Sequence, residues 1–356
     1  MISQNRFNNY YSKSEYDNDF SEKLFDKYQK KLSSDDKSKS LIWNNVLSEN
    51  YLDVYDALER NNKKKFKTIL ENFFQEKCIR GAEDGDLHKN FLINISHKYL
   101  LIESIIKLSE YLGIKKIFNP YQISKKYNSH ENIKILYSKI SELIPIKSIP
   151  NVGCPYGMKV ENGIINYRFI EAVYFNFEIK NFLVSQKSLL EKKLTILEIG
   201  AGSGLNILTT FSFLKNNIDK IYLVDLPEML LLQEFFLKNS LSQEEFKKIN
   251  FVSNKDFKEI ENIEFNIIIN KDSLPEIKKS EAINYINFFG KQSDCYFFSL
   301  NQESNIAEQI SVSALMQDHK NITKISRDLF PLRGGYVKEI FLSLNEYEAI
   351  EVDLKS

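Results

Sequence analysis

Between residues 194 and 343, apolar runs of strand length alternate with amphipathic runs of helix length. Strands are predicted at 194–199, 221–225, 249–252, 265–269 and 295–300, and helices at 206–215, 228–239 and 279–290. Leu194–Ile199 is apolar except for Thr195 and Glu198, as suits a central parallel strand covered on both faces. In 206–215 the apolar residues fall at 207, 208, 211 and 214, a helical spacing. Strand and helix in strict alternation predict an α/β fold, a Rossmann-like doubly wound, mostly parallel sheet. A last pair, 322–327 and 336–343, flanks Arg333-Gly334-Gly335 and predicts an antiparallel hairpin.

The first 190 residues carry only the helical period. Apolar positions three and four apart predict helices at Phe20–Leu32, 41–57, 63–76, 87–112, 131–143 and 164–188. Asp86 and Ser129 are the expected N-caps, and Gly113 and Pro120 the expected stops. The stretch 145–163 holds Pro150, Pro155 and three glycines and is the expected linker. The predicted organisation is an all-helical domain over 1–144, a linker and lid helix over 145–190, and a ligand-binding α/β domain over 191–356.

The chemistry concentrates where the first strand ends. Gly200, Gly202 and Gly204 allow a sharp turn with no Cβ between backbone and ligand, and the turn opens onto a helix whose free N–H groups favour an anion. Asp225 closes the next strand, where a carboxylate can accept both hydroxyls of a ribose. A dinucleotide fingerprint would need a small residue at position 205, and Leu205 stands there. The pattern from Glu198 is E-x-G-x-G-x-G instead. It resembles motif I of the class I S-adenosylmethionine-dependent methyltransferases; a structural glycine turn in another α/β protein is the alternative.

That resemblance implies S-adenosylmethionine as cofactor, its methionine carboxylate at the helix end, its ammonium on Glu198 and its ribose on Asp225. Ala201, Leu226 and Asn270 complete the implied cofactor contacts, and Asp256 stands where the superfamily often bonds the adenine amine. Within the superfamily, Asn270-x-x-Ser273-x-x-Glu276, Tyr285, Phe298-Ser-Leu-Asn301-Gln-Glu303, Gly153-Cys154-Pro155 and Asp225-Leu-Pro-Glu-Met229 resemble a bacterial family of sugar O-methyltransferases. The likeness covers roughly residues 115–345 and implies methylation of a sugar or sugar-nucleotide hydroxyl, in surface polysaccharide biosynthesis. Another small molecule or a peptide as acceptor, or a non-catalytic binding protein on this fold, are the competing readings.

An alcohol acceptor needs a base. The histidines are His88, His97, His130 and His319, with no pair at metal-ligand spacing. Asp272 and His319 are the leading candidates, with His130 behind them, and His88 and His97 read as helix-surface or core-edge residues. Asp272 and Glu303 are alternative bases, or Mg2+ ligands should a metal hold the acceptor hydroxyls. Asn270, Asp272, Ser273 and Glu276 are expected to line the acceptor site, with Tyr156, Tyr167, Arg168 and Glu303 contacting the sugar.

Charge then narrows the partners. The 48 basic and 48 acidic residues cancel, so no net field draws nucleic acid or anionic lipid. No run is long and apolar enough for a membrane span or a signal peptide. The odd, scattered Cys78, Cys154 and Cys295 suit neither a disulfide framework nor a zinc site and point to a reducing cytoplasm. Aromatic residues at Phe91, Tyr99, Tyr111, Phe118 and Tyr121 make 91–121 the expected contact surface of a homodimer.

Overall fold

The computed structural model describes residues 14, 16–32, 40–117, 132–161, 163–303 and 310–344. Helices α1 (Asn18–Gln29), α2 (Leu41–Asn50), α3 (Leu52–Glu59), α4 (Lys63–Glu71), α5 (Phe91–Tyr111) and α6 (Ile133–Leu143) come first. A two-stranded hairpin, β1 (Met158–Val160) and β2 (Gly163–Ile165), then leads into α7 (Tyr167–Ser185) and α8 (Lys187–Leu190). The α/β half continues as β3 (Leu194–Ile199), α9 (Leu205–Leu214), β4 (Ile218–Asp225), α10 (Pro227–Ser240), α11 (Gln243–Phe246), β5 (Ile249–Ser253) and β6 (Ile267–Lys271). It ends with α12 (Lys279–Gly290), β7 (Cys295–Gln302), α13 (Val312–Met316), β8 (Ile322–Leu329) and β9 (Tyr336–Ser343).

The sheet order is β5-β4-β3-β6-β7-β9-β8, and only β9 runs against the rest. The expected doubly wound, mostly parallel sheet is therefore present. From β3 the chain winds outward through β4 to β5, then crosses back to β6 on the other side of β3. Helices on either side of that reversal diverge, which leaves a crevice at the carboxyl ends of β3 and β6. All β3 residues but Thr195 are buried, as the apolar run required.

The helical half differs from its pattern in ways side chains explain. The 41–57 run is two helices broken at Tyr51, whose ring is fully buried and whose hydroxyl donates to Glu228 O at 2.8 Å. The 87–112 run divides at Asn90, because the Asn90 carboxamide accepts from the Leu92 and Ile93 amides and caps α5, while Gly85–Lys89 is a separate 3-10 turn. Asp86, the expected cap, instead pairs with Arg80 at 2.7 Å. Residues 164 and 165 belong to β2, and α7 starts only after Asn166, which caps it. Ser129 and Pro120 lie outside the described residues.

The helical half packs as an outer layer on the helices that cover one sheet face. Phe73 and Phe74 meet Phe236 edge-on at 6.2 and 5.4 Å, Tyr111 meets Tyr174 of α7 at 4.9 Å, and Tyr55 donates to Glu228 Oε1 at 2.6 Å. One apolar core thus runs from Leu24 and Phe25 of α1 to Ile340 of β9, across every boundary drawn on the sequence, and a second fills the opposite sheet face under α12 and α13. Among the described residues no helix is long and apolar enough to cross a membrane.

Candidate functional site

The turn between β3 and α9 is built on backbone that L side chains resist. Gly200 has φ +70°, and a Cβ there would stand 2.2 Å from Ser273 Oγ. Gly202 has φ +57°, and its missing Cβ faces Ala82 at 3.3 Å, so the helical half closes on the turn from above. Gly204 is the N-cap residue of α9. Asp225, at the end of β4, holds the turn by accepting from the Gly202 amide at 3.1 Å and the Gln233 side chain at 2.7 Å, while its other oxygen accepts from the Leu226 amide at 2.8 Å. Burial, only partly offset by these donors, pushes the Asp225 carboxyl up to about 6.

Glu198 lies one strand position before the turn and is buried. Its Oε1 accepts from Asn206 at 3.0 Å, and its Oε2 has no partner among the described residues. Burial drives this carboxyl up to about 8, against the Asn206 bond and the charge of Lys271. Both acids, the glycine turn, Ala201, Leu226, Ser273 and Asp272 line one cleft whose empty volume, mouth included, is about 980 Å3.

Ser40, Trp43, Gly81, Ala82 and Glu83 of the helical half form the roof of that cleft, and no spacing in the sequence marks them. Glu83 accepts from Ser203 Oγ at 2.7 Å, a bond across the seam at the glycine turn itself. Burial lifts Glu83 to about 7, opposed by Arg168, which lies 4.0 Å away. Arg168, from the first turn of α7, also faces Asp84 at 3.9 Å and Asp272 at 3.4 Å.

Asp272 comes directly after β6 with φ +59° and is clamped by Arg168, by Arg333 at 3.0 Å and by the Tyr336 hydroxyl at 2.6 Å. Burial acts to raise its proton affinity, but Lys271, Arg168 and Arg333 outweigh it and hold the carboxyl below its ordinary range. An acid so stabilised as the anion is a poor base. The guanidinium groups also stand where a cation would, so Mg2+ does not suit it. Among the described residues no group of three or more His, Cys, Asp or Glu is placed to hold a metal ion.

Other predicted site residues lie elsewhere. Asn270 is fully buried beneath the cleft floor, donating to Ile199 O at 2.8 Å and accepting from Asn301 at 2.8 Å, so it braces β6 against β3 and β7. Asp256 is exposed on the 3-10 turn after β5, and Asn254 lines the cleft in its place. Glu276 is outside the cleft wall, accepts from Gln302 at 3.3 Å and is pushed up to about 7 by burial and then by Asp272. Glu303, just past the end of β7, forms an exposed pair at 2.6 Å with Arg327 of the edge strand β8. His319 packs beside Gly290, just before β7 begins, at the amino edge of the sheet and opposite the glycine turn. It cannot serve as base there. His130 lies outside the described residues. Tyr156 and Tyr167 line a second, smaller cavity, which Glu83 shares with the cleft.

No protein-family model matches the chain, and no curated protein matches it. Solved structures do. Magnesium protoporphyrin IX methyltransferase (ChlM) from Synechocystis PCC 6803 with bound SAM aligns at 13% identity over 49% of this chain and 80% of that one, with a TM-score of 0.37. Mitomycin 7-O-methyltransferase MmcR aligns at 12% identity over 42% of this chain and 49% of that one, with a TM-score of 0.34. An O-methyltransferase family protein from Burkholderia thailandensis aligns at 10% identity over 72% of this chain and 98% of that one, with a TM-score of 0.36. Likeness this distant assigns no chemistry to the chain, whose function must be argued from its own strand order and cleft.

Proposed function

We propose that this chain is a methyltransferase that takes S-adenosylmethionine as methyl donor and a hydroxyl of a sugar or sugar nucleotide as acceptor. The observation that carries the reading is Glu198 Oε2, a carboxylate oxygen shut off from water, unpartnered among the described residues and set in the cleft wall beside the glycine turn. An unsatisfied buried acceptor costs about 1–3 kcal/mol, more when charged, and a ligand ammonium removes that cost. At the other end of the turn Asp225, already accepting three hydrogen bonds, keeps a lone pair on Oδ1 for one ribose hydroxyl and can take the second in exchange for the Gln233 bond, and the first amides of α9 suit a ligand carboxylate. An ammonium, a carboxylate and a vicinal diol on one ligand describe an amino-acid nucleoside.

The bound donor supplies an electrophilic methyl group on sulfonium sulfur. What the chain contributes is placement and dryness: the roof residues Trp43, Gly81 and Ala82 exclude water, and Arg168, fixed by Glu83, Asp84 and Asp272, orders the acceptor side. The sugar acceptor, and with it a place in surface polysaccharide biosynthesis, rests on the sequence resemblance, and the cytoplasmic setting on the three scattered cysteines. A homodimer joined through α5 is supported by its exposed Phe91, Leu92, Tyr99 and Tyr111; light scattering would then read twice the 41.7 kDa of one chain. For the activity, calorimetry with S-adenosylhomocysteine is decisive: binding that Glu198→Gln weakens at least tenfold is expected, and a folded protein that binds none of it would end this reading. Thermal shift with a series of nucleotide sugars on the liganded protein then tests the acceptor.

A further inference from the structure

A second cavity adjoins the cleft behind Glu83, between the 3-10 turn Gly85–Lys89, α5, the approach to β1 and the start of α7. Phe74, Leu101, Tyr156 and Tyr167 give it apolar and aromatic walls, and His88 and His97 stand among them. The two rings are set in complementary ways. His88 is 1% exposed, stacks on Tyr156 at 4.3 Å, and its Nδ1 meets Gly85 O, so Nδ1 carries the proton and Nε2 is left as an acceptor. His97 turns Nε2 toward Asp84 Oδ2 at 3.4 Å, and the nearby carboxylate favours the tautomer with the proton on Nε2 and the lone pair on Nδ1. Neither His88 Nε2 nor His97 Nδ1 has a partner among the described residues.

Asp84 is itself fixed, accepting from Tyr167 OH at 3.2 Å and facing Arg168 at 3.9 Å. A half-buried imidazole facing a fixed carboxylate, with its other nitrogen unpartnered among the described residues, is the arrangement of a general base. Two buried acceptor nitrogens between aromatic walls call for a ligand with two hydroxyl donors on a ring that has an apolar face.

We propose that this chamber holds the methyl acceptor, a neutral ring bearing neighbouring hydroxyls, with His88 Nε2 binding one hydroxyl and His97 Nδ1 removing the proton of the other. The proposal rests on the methyl-donor reading of the cleft. In the step, the acceptor oxygen gives its proton to His97 Nδ1 while it bonds the methyl carbon. The carbon–sulfur bond breaks with its electron pair left on sulfur. A sulfonium becomes a neutral thioether, and the positive charge passes to the imidazolium beside Asp84. Burial, stronger than the pull of Asp84, lowers His97 below the ordinary histidine range, so the ring is neutral and ready at neutral pH.

NMR of protein labelled at the histidine ring carbons, saturated with S-adenosylhomocysteine, tests this directly. Methyl α-D-glucopyranoside and catechol are the probes, and single His→Gln variants assign the signals. The expected result is that one probe or both shift the His88 and His97 signals saturably and leave His319 unmoved. His97→Gln should weaken the bound probe about tenfold without altering S-adenosylhomocysteine affinity, and should cut kcat for methyl transfer to it by about 10²–10⁴. Normal S-adenosylhomocysteine binding with both histidine signals unmoved by either probe would overturn the chamber alone. Failure to bind S-adenosylhomocysteine would instead overturn the reading beneath it. His88→Gln is the harsher change in a packed site, so His97→Gln carries the test if that variant does not fold.

Discussion

The two sides of the cleft are built by different means. On the donor side Glu198, the glycine turn and Asp225 come from one β3–α9–β4 unit of 32 residues, and backbone amides do much of the holding. On the acceptor side Glu83, Asp84, His88, His97, Tyr156 and Arg168 come from five segments of the helical half, joined chiefly by side-chain contacts. A local unit can be rigid by itself. A seam assembled from distant helices can be varied piece by piece, which suits the partner that differs among enzymes sharing one donor.

If that contrast holds, the donor side should break all at once and the acceptor side by degrees. The largest effect is expected from Gly202→Val: a β-branched side chain in left-handed backbone, facing Ala82, should abolish measurable S-adenosylhomocysteine binding while circular dichroism of the helices persists. Retained binding would make the turn structural only.

Proton linkage sharpens the same side. Glu198 must be ionised to pair with an ammonium, and burial holds it at about 8, so each pH unit below that should weaken S-adenosylhomocysteine about tenfold, with a plateau above. Calorimetry from pH 6 to 8.5 reads this, and a flat profile would remove the pairing. The sign for stability is opposite. Glu83, Glu198, Asp225 and Glu276 all bind protons more tightly folded than unfolded, so the unliganded protein should lose stability as pH rises from about 4.5 to about 8. Saturating ligand should flatten that slope in a melting series.

Asp225→Ala comes next, at about 1.5–3 kcal/mol of lost S-adenosylhomocysteine affinity, the range for hydrogen bonds to a charged group. Unchanged affinity would take the ribose away from Asp225. The smallest effect should come from Ser203→Ala, which removes the hydroxyl bonded to Glu83 across the seam. About 1 kcal/mol is expected in stability, with S-adenosylhomocysteine affinity nearly intact, and a larger loss of affinity than of stability would show that the seam belongs to the donor side.

Local pattern foretells much of this architecture. The spans 194–199, 279–290 and 336–343 match β3, α12 and β9 residue for residue, because strand and helix periods are written in neighbouring side chains. Glu198 and Asp225 are legible for the same reason: their places follow from register along strands that end at one turn. Asn270 defeats such reading because a polar residue at a carboxyl edge can line a pocket or tie strands together, and only the partners Ile199 and Asn301 decide which. His319 defeats it because its place depends on how α13 turns back toward the amino edge of the sheet.

The amino-acid sequence by itself determined the alternation of strand and helix, the left-handed glycine turn and the two acids that flank it, since each needs only residues near in the chain. Tertiary structure alone decided that Asp272 is neutralised by Arg168 and Arg333, that Ala82 and Glu83 roof the turn, and that His88 and His97 share a chamber with Asp84. The physical reason is one of range. Backbone conformation is settled by sterics over a few residues, whereas the charge, dryness and hydrogen-bond partners of a side chain are settled by whichever distant segments pack against it.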